Sequence, residues 1–249
     1  MATFNDPEFY GDSWAEVYDQ TTGHLDTDGA VEFLSNLAKD GRVLELGIGT
    51  GRIALPLAAR GVKIAGIDAS AAMVQKLREK PGGQDIPVTV GDMAEITIAD
   101  GPYRLAFLIY NTLFSLPSQA RQMKCFENVA AALEPDGLFV VECFVPDLTS
   151  IARGQRVSVV NVTEGSVTIE FSRYDVSAQR IRGQLVTLSG EGIRFGPIPI
   201  RYAWPDELDL MAARVGLTLR HRFRDWAENP YRSGCERHVS VYESHRRES

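Results

Sequence analysis

The chain has 249 residues, 44% of them apolar, with a formal net charge of −7 and a pI near 5.2. Such a chain can build one sizeable core with a small appended lobe, and its negative balance supplies no global positive field for a polyanion, so nucleic acid is not expected as a partner. No apolar run reaches the ~18–20 residues that span a bilayer, and three scattered cysteines (Cys125, Cys143, Cys235) build neither a disulfide framework nor a metal site.

The opening "MATFNDPEFYGDSW" lacks the basic-then-apolar order of a secretory signal, and a reduced cytoplasmic setting is expected. "TDGAVEFLSNLAKD" spaces Val31, Phe33, Leu34 and Leu37 as a helix does, with Thr27 or Asp28 as its cap. "GRVLEL" is a short buried strand, a glycine loop follows, and "RIALPLAARG" reads as a helix stopped by Gly61. "VKIAGID" is a second strand, and "SAAMVQKLREKPGG" is a helix capped by Ser70. "IPVTVGD" and "YRLAFLIYN" give two more strands, "SQARQMKCFENVAAALEPDG" a longer helix, and "LFVVECFVP" a fifth strand. This alternation predicts an α/β, doubly wound parallel sheet.

After Pro146 the rhythm changes to β-branched alternation with turn pairs and no 3.6-residue period. Four antiparallel strands are expected over residues 155–203, within an insert spanning 147–203. "PDELDLMAARVGL" then reads as a helix with an acidic first turn, and "LTLRHRFRDW" and "RHVSVYES" as a closing hairpin around "AENPYRSGCE". The arginines of "RVGLTLRHRFRDW" are spaced as on a solvated face.

The glycine loop "GIGTGR" carries Gly47, Gly49 and Gly51, with Arg52 next. A dinucleotide fingerprint needs a third glycine where Arg52 stands, and the absence of Gly-Lys-Ser/Thr excludes a phosphate-cradling loop. Glu45 precedes the loop, and Asp68 ends the second strand 21 positions after Gly47. A carboxylate at that tip accepts both ribose hydroxyls of an adenosine, whether of NAD or of S-adenosylmethionine (SAM). Asp92 at the third strand can accept from an adenine amino group, Met93 can offer its amide to the ring, and Met73 can pack on its face; both methionines fit ordinary core equally well.

"VLELGIGTG", "GIDAS" with Met73, and "GDM" resemble the successive SAM-binding motifs of class I SAM-dependent methyltransferases. The resemblance implies a Rossmann-like seven-stranded sheet with its last strand antiparallel, built from residues 1–146 and 204–249. It also implies SAM as cofactor, held by Glu45, Gly47, Gly49, Asp68, Ala69, Met73, Asp92, Met93 and Tyr110, with no metal. "FYGDSWAEVYD" is similar to the opening of amino-sugar N,N-dimethyltransferases and, more loosely, of glycine-type N-methyltransferases, where paired tyrosines close over the sulfonium. Tyr10 and Tyr18 match those tyrosines, which makes residues 1–27 a lid and the insert a cover for a small-molecule acceptor.

Asn111 is followed by Thr112 and Leu113, which counts against amide or nucleobase methylation, and it stands where an Asp would suggest metal-assisted chemistry. Tyr110 or Asn111 is expected to touch the methionine end of SAM or the acceptor. Glu142 is the odd residue in an apolar strand and is expected to orient or deprotonate the acceptor, with His24 and His238 as alternative bases. Arg201, Tyr202 and Trp204 either line the acceptor pocket or seal the insert onto the core. A nicotinamide-dependent oxidoreductase and a non-catalytic SAM-binding regulator are the competing readings; Arg52 counts against the first, and Tyr10, Tyr18 and Glu142 against the second. The motifs are compatible with nitrogen, oxygen or carbon as the methylated atom, with more than one class of acceptor, and with a monomer or a homodimer.

Overall fold

The computed structural model describes residues 6–23, 25–98 and 101–245. It begins with two short helices, α1 (Phe9–Trp14) and α2 (Tyr18–Thr22), followed by α3 (Thr27–Ala38). The cap of α3 is Asp26, just before the expected Thr27 or Asp28: its carboxylate accepts the Gly29 N–H at 2.9 Å, the donor three residues on that a cap side chain reaches. Then β1 (Arg42–Leu46), α4 (Ala54–Ala59), β2 (Lys63–Asp68), α5 (Ala71–Arg78), β3 (Val88–Val90), β4 (Tyr103–Leu108), α6 (Gln119–Ala132) and β5 (Leu133–Phe144) follow in order. Ser70 caps α5 by accepting from the Met73 N–H at 3.1 Å.

The main sheet has the order β10-β11-β5-β4-β1-β2-β3, in which β10 (Leu217–Phe223) and β11 (Arg237–Ser244) close the chain. All pairings from β3 to β5 are parallel, and β11 runs antiparallel to both β5 and β10. Two apolar layers result from the alternation along each strand. Phe139, Val141 and Cys143 of β5 face α6 and α8 (Pro205–Arg214), whereas Leu138 and Val140 face α3 and α4. Because β1 has β2 on one side and β4 on the other, the strand order reverses there, and a crevice opens at the carboxyl ends of the strands. Among the described residues, no helix is long and apolar enough to cross a membrane.

After α7 (Leu148–Arg153), a separate antiparallel sheet forms from β6 (Gln155–Val162), β7 (Ser166–Asp175), β8 (Arg180–Ser189) and β9 (Gly192–Arg201). Its inward side chains Tyr174, Ile181 and Ile200 pack on the α6/α8 layer, while Leu185 and Ile198 pack on Trp14 and Met73. Arg201, buried at the joint, donates to Gln122 at 2.6 Å, Gln179 at 3.0 Å and Glu207 at 2.7 Å. Burial pulls the Glu207 carboxyl up, but hydrogen bonds from Gln179, Arg201 and Gln119 outweigh it and hold it below its ordinary value.

Arg201→Met should therefore lower stability by about 3 kcal/mol in urea unfolding at neutral pH, since it leaves a buried carboxylate without its cation. A depressed folded-state pKa contributes stability that is present above the ordinary glutamate value and lost as pH falls through the folded one, so the gap between wild type and variant should narrow below about pH 4. A wild-type midpoint for Arg201→Met would show that the joint is held by its apolar contacts alone.

The C-terminal arginines do not all lie on a solvated face. Arg222 on β10 is half-buried, pairs with Asp209 at 2.5 Å and donates to Ser240 at 2.9 Å.

Candidate active site

The loop leaving β1 needs glycine for its backbone. Gly47 and Gly49 have φ of +73° and +56°, and a side chain at Gly47 would meet the Thr112 methyl at 2.5 Å. At Gly49 a side chain would find only the Gly47 carbonyl, at 3.9 Å, so open space lies above the loop. Asp68, at the tip of β2, holds this loop: one carboxylate oxygen accepts the Gly49 N–H at 2.7 Å and the other the Ser70 N–H at 2.9 Å. Burial raises the Asp68 carboxyl above its ordinary value despite these two donors. Each oxygen retains an acceptor position. Ala69 follows, half-buried, before the cap of α5.

Glu45 lies on β1 directly before the loop, 4% exposed, and its Oε2 has no hydrogen-bond partner among the described residues. Burial drives its carboxyl well above the usual range, opposed by Arg52. Past β3, Asp92 accepts the Ala94 N–H at 2.8 Å with one oxygen and the Arg121 guanidinium with the other. Met93 beside it is buried in the α6/α8 layer, while Met73 packs with Trp14 under α1.

The N-terminal helices are fastened across this edge from both sides. Ser70 donates to Asp12 at 2.6 Å, and the Trp14 indole N–H donates to the Pro197 carbonyl of β9 at 3.0 Å. Asp19 receives Thr50 of the glycine loop at 2.6 Å and pairs with Lys80 at 2.6 Å. Tyr10, Tyr18 and Tyr110 are thereby gathered together. Burial raises all three phenols, Tyr18 to about 12, so they stay protonated at neutral pH. Arg52 joins the cluster: its positive charge opposes the rise of the Tyr18 phenol, it donates to Thr27 at 3.1 Å, and it lies 5.8 Å from the Tyr110 ring centroid. From sequence Arg52 was only an obstacle to a glycine; its partners come from helices outside the motif.

At the end of β4, Tyr110 and Asn111 both adopt left-handed backbone, with φ of +52° and +65°. β5 holds them there. Glu142 Oε2 accepts the Tyr110 N–H at 2.9 Å, the Glu142 carbonyl accepts the Asn111 N–H at 3.2 Å, and Asn111 Oδ1 accepts the Phe144 N–H at 2.7 Å. Burial raises the Glu142 carboxyl, opposed by the Tyr110 N–H and by Arg237 at 3.8 Å.

His238 pairs with Cys143 on the α6/α8 face of the sheet, the face opposite to Glu142, and is hydrogen-bonded to Ser240 at 2.8 Å. Burial lowers its pKa to about 3, leaving a neutral and very weak base. His24 lies outside the described residues. Arg201 and Tyr202 are buried at the joint between the insert and the core, with the Trp204 ring against Tyr202.

The arrangement fits SAM. That molecule carries an ammonium, a ribose diol and an adenine amine, all donors, and the edge presents the unpartnered Glu45 oxygen, the spare positions of Asp68, and Asp92 in that order along β1, β2 and β3. Residues 43–137 match a family described as a methyltransferase domain. The CcbJ methyltransferase of Streptomyces caelestis is 38% identical with a TM-score of 0.90, over 96% of this chain and 99% of that one. The cypemycin N-terminal methyltransferase of a Streptomyces species is 26% identical over 244 residues, 96% of this chain and 99% of that protein. A putative methyltransferase of Bacillus subtilis, YqeM, is 30% identical over 131 residues, and the chain spans 53% of its length. With a glycine loop and three carboxylates in the family's order, and a full-length relative of the same structure, this chain belongs to the class I SAM-dependent methyltransferases.

Proposed function

We propose that the chain methylates an amine nitrogen of a small-molecule acceptor held between the crevice and the inward face of the four-stranded sheet. In this reading residues 1–146 and 204–249 bind the cofactor, residues 1–27 form the lid, and 147–203 cover the acceptor. Glu45, Gly47, Gly49 and Tyr110 hold the methionine part of SAM, Asp68 and Ala69 the ribose, and Met73, Asp92 and Met93 the adenine. When bound, SAM supplies a methyl group on an already activated leaving group. The protein's own task is to align the acceptor and exclude water.

The observation that carries this reading is the gathering of Tyr10 and Tyr18, on a fastened lid, with Tyr110. Their neutral phenols surround the reacting centre with electron-rich rings and oxygens that accept from an acceptor N–H. An alcohol acceptor would need a strong base at the same place. Among the described residues, the ionisable groups at this edge include buried carboxylates, the Arg52 guanidinium and tyrosines that stay protonated. An amine needs only to arrive as its free base. On the inward face of the cover, Glu170 stands opposite Leu185 and accepts from Ser172 at 2.6 Å, leaving a second oxygen for an acceptor hydroxyl or ammonium.

A second reading is the terminal amine of a peptide. It is favoured by the full-length match to a protein named as a cypemycin N-terminal methyltransferase. Methyl-labelled SAM offered with small amines, small alcohols, peptides with free N-termini, and RNA separates the two. Label in small amines supports the proposal, label in peptides supports the second reading, and label only in alcohols or RNA overturns both. Tyr18→Phe should lower turnover about tenfold while SAM affinity by calorimetry stays within about threefold, because the lost hydroxyl acts at the reacting centre. Wild-type turnover would reduce Tyr18 to packing.

A further inference from the structure

The four-stranded sheet has a second face. Residues that pair across strands share a face, so the register, shifted once by a bulge after Val159, sorts its side chains. Tyr174, Ile181, Ile200, Leu185 and Ile198 point inward. Beyond the end row of Asp175, Arg180 and Arg201, which turns into the joint, the intervening positions point away from the body, and they are apolar in successive rows, such as Val159, Ile169, Val186 and Phe195. The relative exposures are 65% for Val157, 64% for Val159, 64% for Val162, 44% for Phe171, 64% for Ile193 and 63% for Phe195. These side chains lie in adjacent rows, so the face is a continuous apolar surface of the kind that a monomer rarely leaves uncovered and that marks an interaction site. β6 is also an edge strand, which exposed and apolar is prone to uncontrolled pairing unless something covers it.

Charge is distributed along this face in a way that selects the occupant. At one end Arg173 and Arg182 stand directly opposite each other on β7 and β8, both exposed, and neither pairs with a carboxylate among the described residues. Like charges so placed are unfavourable in an isolated sheet. At the other end the β6–β7 and β8–β9 turns carry exposed Glu164 and Glu191. A two-fold axis running across the strands lays one sheet end-for-end over a second copy, apolar rows on apolar rows. Arg173 then meets the turn of Glu164, and Arg182 the turn of Glu191. Such a contact is self-complementary and closed.

We infer that the outward face of the four-stranded sheet is a homodimer interface, two copies forming an aligned β-sandwich with the inward faces left to cover each active site. The inference does not depend on the identity of the acceptor. Sedimentation of the full chain over about 1–100 µM should show a dimer. Phe195→Glu and Val159→Lys should each weaken it by roughly thirtyfold or more, the loss of a central anchor, with far-ultraviolet circular dichroism and SAM affinity unchanged. Arg182→Glu should weaken the dimer, and Arg182→Glu with Glu191→Arg should restore it. A wild-type monomer across that range, or a dimer indifferent to both Phe195→Glu and Val159→Lys, overturns the interface. Failure of the charge reversal to rescue overturns the end-for-end arrangement.

Discussion

Asp68→Ala is expected to weaken SAM binding by at least about a hundredfold, the largest effect of any single substitution at the cofactor edge. Its carboxylate holds Gly49 and Ser70 through their N–H groups and still has an acceptor position on each oxygen. Hydrogen bonds to a charged group are worth about 1.5–3 kcal/mol each, so losing two to a ribose diol accounts for the factor before any loosening of the glycine loop is added. Asp68→Asn should fall between the two, since it keeps one acceptor oxygen for the loop and presents a donor to the ligand. The fold should tolerate both changes. Burial raises the Asp68 carboxyl in the folded chain, so the folded state holds its proton more tightly than the unfolded one. The ionised carboxylate then opposes folding at neutral pH, and the stability it takes away is regained as pH falls toward the ordinary aspartate range. Thermal melting at neutral pH should therefore change little while calorimetric affinity collapses. Unchanged affinity would remove Asp68 from the cofactor site.

The parts of this molecule that were legible in the sequence are those set by local pattern. Buried parallel strands give short apolar runs, and the runs beginning at Gly41, Val62, Tyr103 and Leu138 are where β1, β2, β4 and β5 stand, although β5 already starts at Leu133, in residues expected to end the preceding helix. The four strands over 155–201 follow from period-two alternation and turn pairs. A carboxylate at a strand's end is also a local fact, which is why Asp68 and Asp92 could be placed on the crevice edge. Partners that arrive from elsewhere were not legible. Nothing near Asp92 announces Arg121, which comes from α6. Arg52 gains its meaning from Tyr18 and Thr27, and Asp19 from Thr50 and Lys80, only once the N-terminal helices fold over the glycine loop. The outward face of the insert shows the same limit from the opposite direction: alternation identified strands, but which face is covered depends on how the sheet sits on Trp14 and the α6/α8 layer.

Glu142 illustrates the difference between an unusual residue and its use. From sequence it was a carboxylate in an apolar strand, suited to act on the acceptor. In the structure one of its oxygens is committed to the Tyr110 N–H, through the parallel register that sets Leu108 beside Val141. Two consecutive non-glycine residues in left-handed backbone cost about 1–3 kcal/mol each and persist only where the surroundings over-determine them. Here Glu142 and Asn111 supply that restraint through three hydrogen bonds. We therefore propose that Glu142 is a positioning residue acting through Tyr110. Glu142→Ala should lower turnover about a hundredfold with SAM affinity within about threefold, because the turn relaxes and Tyr110 leaves its place. Glu142→Gln keeps an acceptor for the same N–H and should retain turnover within about fivefold, with an unaltered pH profile. A general base would behave otherwise: Gln would be as damaging as Ala, and the acid limb of the profile, set by the raised Glu142 carboxyl, would vanish. Asn111 gives an internal check. Asn111→Ala loses the clamp on Phe144 and keeps the strain, whereas Asn111→Gly loses the clamp but relieves the strain by about 1 kcal/mol, so the glycine variant should be the more stable and the less ordered of the two. If both variants turned over as the wild type does, the turn would be a feature of folding alone.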